Sequence, residues 1–145
     1  MTTNPAHRCP TCGQLIQTYH RSITAAMAVA LLILHRKGNG KWMHLPTLKM
    51  SVSNVKLRAA LGGGDVAKLR FWNLLELLDG ERPDGSSRVG YYRITPSGES
   101  FCMDMLRVPK YADVLHNEVL QMHGDMIGIR DALRQKFDYA ELLAL

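Results

Sequence analysis

Between Ser22 and Lys37 the chain reads SITAAMAVALLILHRK, with Ile23, Met27, Ala30 and Leu34 returning at helical spacing. Ser22 offers an N-cap hydroxyl, His35, Arg36 and Lys37 suit the negative end of a helix dipole, and Gly38 stops the run. A helix that is apolar on nearly every side must be surrounded, so it is expected at the centre of the core, with Met27 as filler. Its apolar stretch from Ala25 to Leu34 is about half the length needed to cross a bilayer, so no membrane partner is expected.

Downstream the pattern shortens. Gly38-Asn39-Gly40 turns the chain into Lys41 to Leu45, whose alternation predicts a short edge strand. A second helix is expected near Val52 to Leu61, a turn at Gly62-Gly63-Gly64, and a third helix capped by Asp65 and ending near Asn73. An apolar strand, a charged loop from Gly80 to Val89 and a returning strand through Ile94 follow. Tyr91 and Tyr92 fall on opposite faces of that strand, one toward the core and one toward solvent. A further helix opens at Thr95-Pro96, where proline loses no hydrogen bond, and Cys102 is expected inside it as a buried thiol.

After Val108-Pro109 two alternating segments, Tyr111 to His116 and Val119 to His123, flank Asn117-Glu118 and predict a hairpin. Met126 to Lys136 reads as a helix, and Asp138 with Glu141 forms a capping box for a last turn through Leu143. A hairpin and helix of this size do not stand alone and must dock on the rest.

The third helix holds a misfit. At 100° per residue Val66, Leu69, Phe71 and Trp72 cover more than half its circumference, so one aromatic should face outward or meet another segment. Exposed, Phe71 and Trp72 would anchor a protein partner; otherwise the C-terminal segment covers them.

Leu69, Asn73, Leu74-Leu75-Glu76 and then Tyr92-Arg93-Ile94-Thr95-Pro96-Ser97-Gly98 resemble the L-x-x-x-G-L-[IV]-E and Y-x-[IL]-T-x-x-G signatures of MarR-like small winged-helix proteins. Asn73 stands where that family has glycine, and asparagine is the next best residue for a left-handed helix exit. The resemblance implies an α+β winged helix-turn-helix over 22–107, preceded by a short segment over 1–21 and followed by a β-hairpin and helix appendage over 108–145. Together with a Cys-Pro-x-Cys-Gly motif and the tail from Phe137 to Leu143, it is similar to small proteins of bacteriophages and prophages.

Charge adds a direction. Residues 1–64 hold eight Lys or Arg and no carboxylate, residues 65–107 hold six basic and seven acidic side chains, and residues 108–145 hold four and six. A cationic N-terminal half favours a polyanion, and nucleic acid is the usual one. In a winged helix the third helix enters the major groove, which points to Lys68 and Arg70, with Lys49, Lys56 and Arg58 nearby. Arg82 and Arg88 in the wing suit backbone or minor-groove contacts.

His7-Arg-Cys9-Pro-Thr-Cys12-Gly13 is zinc-knuckle-like, but a structural zinc takes four ligands and there is no second CxxC. Cys9 and Cys12 are the expected ligands of one structural zinc, with His20 the best third and His7 cramped. His116, His123 or a second subunit could complete the shell, and a knuckle without metal is the alternative. Three cysteines make no disulfide framework and Met1 to Ile16 has no apolar core, so the bacterial cytoplasm is the expected setting.

No nucleotide loop, HExxH or GxSxG occurs, and the six histidines have no carboxylate partner at motif spacing. The expectation is a non-enzymatic, double-stranded DNA-binding transcription regulator of a phage or mobile element, with homodimerisation left open. The alternative is an adaptor or inhibitor that uses the same fold to bind a host protein, and a nuclease comes a distant third.

Overall fold

The structure, a computed structural model, describes residues 7–8, 10–11, 15–16, 19–61, 64–78, 90–116 and 118–145 and is mixed α+β. Strands β1 (His7–Arg8) and β2 (Leu15–Ile16) pair antiparallel, with Arg8 opposite Leu15. Strand β3 (Tyr19–Ser22) then leads into helix α1 (Ala25–Ile33). Thr24 caps this helix in place of Ser22: its hydroxyl accepts from the Met27 N–H at 3.2 Å, and its own N–H points at the Met27 sulfur, 3.4 Å away. Ser22 is taken up in a sheet opposite Tyr111.

Every residue of α1 except Ala26 is buried. The helix is the axis of the core, packing against α3 (Val55–Ala60), a 3-10 helix (Gly64–Trp72), α4 (Pro96–Cys102), α5 (Ile129–Leu133) and α6 (Tyr139–Leu143). From Leu34 to Gly38 the winding widens to π, and Asn39 (φ 49°) ends it in the left-handed conformation, one residue beyond the glycine expected to do so.

Strand β4 (Met43–His44) lies at a sheet edge, as the alternation predicted. Where one helix was expected there are two, α2 (Leu45–Met50) and α3. The break follows from side chains that bond the backbone: the Ser51 hydroxyl donates to the Leu48 carbonyl at 2.6 Å, and the Asn54 carbonyl oxygen caps α3 through the N–H groups of Lys56 and Leu57.

The segment before Asn73 is a 3-10 helix rather than an α-helix, and this resolves the misfit in its pattern. With three residues per turn, Val66, Leu69 and Trp72 stack on one face, and all three are buried. Asn73 adopts the left-handed conformation (φ 59°) that its place in the motif requires.

Strand β5 (Leu75–Leu77) follows, and β6 (Tyr91–Ile94) returns between β4 and β5. Tyr91 and Tyr92 do not divide into core and solvent: both are half-buried, Tyr92 against the core and Tyr91 with its ring tilted against His44 at 4.6 Å. The motif at the start of α4 has a physical cause. The Thr95 hydroxyl donates to the Asn73 carbonyl at 2.6 Å and accepts from the Gly98 N–H at 2.9 Å, so the helix start is held against the segment that leads into β5. A Cβ on Gly98 would stand 2.0 Å from the Leu74 carbonyl oxygen. Cys102 is fully buried.

The hairpin is longer than its alternation suggested, with β7 (Val108–Leu115) and β8 (Glu118–Ile127). Helix 126–136 shrinks to α5, because Gly128 stays extended and donates its N–H to the Asp131 carboxylate at 2.8 Å, which fixes the helix start there. Asp138 caps α6 through the N–H groups of Ala140 and Glu141. Sheet order is β3-β7-β8, so the strand before α1 and the C-terminal hairpin form one sheet. Ile129, Leu133 and Leu142 join the same apolar cluster as α1. Among the described residues no helix is long and apolar enough to cross a membrane.

Candidate functional site

The side chains expected to meet DNA are differently employed. Lys49 lies half-exposed in the last turn of α2 and, among the described residues, pairs with no carboxylate. Lys56 donates to the Lys136 carbonyl at 2.7 Å and sits 4.6 Å over the Phe137 ring. Arg58 is committed to its own turn, its guanidinium donating to the Val52 and Ser53 carbonyls at 2.9 and 3.3 Å, so it is architectural instead of a free contact. Lys68 pairs with Asp65 on the surface, and Arg70 stacks on Phe71 at 4.8 Å. Arg82 and Arg88 lie outside the described residues.

Trp72 is not a partner anchor. It is buried and its indole N–H donates to the Pro109 carbonyl at 2.7 Å, so β7 covers it. Phe71 is half-buried at the core edge beneath the Arg70 guanidinium.

A second constellation stands on the β3-β7-β8 sheet. Strand alternation decides which side chains share its faces. Ala112 and Val114 of β7 point to the core, which sends Tyr111 and Asp113 to the other face. Register brings the neighbours: His20 lies opposite Asp113 on one side and Gln121 opposite it on the other, while Tyr111 lies opposite His123. One extra residue on β8 between His123 and Met126 makes a bulge, with Gly124 at φ 90°. Only glycine fits, because a Cβ there would stand 2.6 Å from the Tyr111 ring.

The result is two imidazoles and one carboxylate drawn together. His20 Nδ1 lies 2.9 Å from Asp113 Oδ1, and Gln121 donates to Asp113 Oδ2 at 2.7 Å. His123 Nε2 lies 3.1 Å from Oδ1, but off the direction a hydrogen bond needs, which leaves this nitrogen buried and unsatisfied. Tyr111 stacks on His20 at 4.4 Å and on His123 at 5.5 Å. The amide of Gln121, supported by both histidines, outweighs partial burial and holds the Asp113 carboxyl well below its usual value, at about 2.

His20 was anticipated from the sequence as a metal ligand, and His123 as a distant candidate for the same shell. Cys9 and Cys12, expected beside them, lie outside the described residues. Asp113 and Gln121 went unrecognised: no carboxylate stands at motif spacing from His20, and the fold supplies one from 93 positions away. A signal was present in the hairpin, where Tyr111 with Asp113 and Gln121 with His123 each sit two apart, placing a polar stripe on one face. The strand Tyr19–Ser22, too short to alternate visibly, is what supplies the other histidine.

Comparison with family models, curated proteins and solved structures returns no match for this chain.

Proposed function

We propose that this chain is a non-enzymatic winged-helix protein that binds double-stranded DNA, serving a phage or mobile element as a transcription regulator. The observation that carries the reading is the order of elements after α1. A strand, two helices and a 3-10 helix lead into β5, and β6 pairs antiparallel between β5 and β4, an order that a winged helix would have. Arg36, Lys37, Lys41, Lys49, Lys56 and Arg58 follow α1, and the first 64 residues contain no carboxylate.

Lys49, Lys68 and Arg70 are the described contacts this reading retains. The Lys68 and Asp65 pair is exposed and therefore weak, so phosphate can displace it. Lys56 would have to leave the C-terminal tail to contribute. The test is fluorescence anisotropy with labelled duplexes, comparing the chain with a Lys68→Ala/Arg70→Ala double variant. Affinity should fall about tenfold or more with folding unchanged, since each lost phosphate contact removes a counterion-release contribution. Unchanged affinity would exclude the 3-10 segment as the reader.

A second reading, a phage adaptor that binds a host protein, draws on β8. This edge strand exposes Val119, Leu120, Met122 and Met126, with Leu120 56% and Met126 53% accessible. Exposed apolar side chains on an unpaired strand edge suit strand addition by a protein partner. It takes precedence if no duplex binds at low ionic strength.

A further inference from the structure

We infer that His20, Asp113 and His123 form a binding site for a divalent transition-metal cation, which ties β3 to the β7-β8 hairpin. One donor comes from each strand of the sheet, and the donor atoms all lie within 4.8 Å of one another.

Three features favour a cation over a purely hydrogen-bonded cluster. The contacts of 2.9 and 3.1 Å from the two imidazoles to one carboxylate oxygen are close to the separation of about 3.3 Å between neighbouring donors around a tetrahedral zinc with bonds near 2.0 to 2.1 Å. The ion would seat with a readjustment of the three side chains, whose donor atoms already lie within 4.8 Å of one another. The buried His123 Nε2 has no hydrogen bond, and a metal would use its lone pair. The surroundings are also those of a built site: Gln121 fixes the second carboxylate oxygen at 2.7 Å, as outer-shell partners of ligating carboxylates do, and the Tyr111 ring braces both imidazoles. Side-chain exposures of 17% for His20, 16% for Asp113 and 20% for His123 leave the cluster shielded but reachable.

The donor set selects the ion class. Two imidazoles and a carboxylate suit zinc, cobalt, nickel or iron, whereas calcium and magnesium take all-oxygen shells. Three protein donors leave a tetrahedral ion one further position for water or another ligand. A cation here acts on structure, because it crosslinks a strand near the N-terminus to one near the C-terminus across a sheet in which β7 lies between them. The site is independent of the DNA-binding reading, since none of its residues belongs to that surface.

The test uses the full chain with Cys9→Ser and Cys12→Ser, so that thiolates cannot supply the binding, and zinc or cobalt as the probe. Calorimetry should show one equivalent bound, cobalt should give visible bands without a thiolate charge-transfer band, and the melting temperature should rise with metal. His123→Gln and Asp113→Asn, each added to that background, should weaken binding at least tenfold, while His116→Ala leaves it unchanged. Circular dichroism of the metal-free variants checks that they fold; should one not fold, the other decides. Absence of stoichiometric binding to the Cys9→Ser/Cys12→Ser chain overturns the assignment, as does binding that survives both His123→Gln and Asp113→Asn.

Discussion

Two residues carry more than their size suggests. Gly98 is fixed by contact, because α4 starts so close to the chain entering β5 that a methyl group would overlap the Leu74 carbonyl. Gly98→Ala should therefore destabilise the fold by about 2–3 kcal/mol in chemical denaturation, the range of overpacking a tight site; a change below about 0.5 kcal/mol would show that the helix start can shift. Asp113 is fixed by charge. Its folded pKa is lowered, to about 2, so its partners stabilise the fold above the ordinary carboxylate range, and that contribution is lost as the pH falls from about 4 toward 2. In metal-free buffer the stability difference between the chain and Asp113→Asn should narrow over that window, and a constant difference down to pH 2 would remove the linkage.

At the scale of elements, the sequence disclosed most where a pattern was long or a motif had a steric reason. The core helix, the left-handed exit at Asn73, the cap at Thr95 and the buried Cys102 all follow from local chemistry. Short elements were harder to read. A three-residue period over Val66, Leu69 and Trp72 is present, but an α-helical period leaves one aromatic over, for solvent or for a covering segment. The strand Tyr19–Ser22 and the carboxylate it meets are joined by register between distant segments, which no local pattern encodes. Because β7 covers Trp72 and accepts its indole hydrogen bond, Trp72→Ala should cost about 3–5 kcal/mol of stability, as for a large side chain removed from a core. Equilibrium unfolding would measure this, and a nearly neutral result would mean that the hairpin does not seal the 3-10 helix.

For the whole molecule, two surfaces have different chemistry. The half of the chain that ends at the third helix is basic, although part of that charge is already satisfied internally through Lys56 and Arg58. The terminal segments meet instead in a sheet that gathers imidazole and carboxylate groups. Duplex binding, as proposed above, would draw chiefly on Lys49, Lys68 and Arg70. The most direct measurement of the central claim is the dissociation constant for a random duplex as a function of salt. Phosphate contacts from those three side chains would make log affinity fall against log salt with a slope of about −3, steeper if Arg82 and Arg88 join. No binding at low ionic strength, or an affinity indifferent to salt, would contradict it.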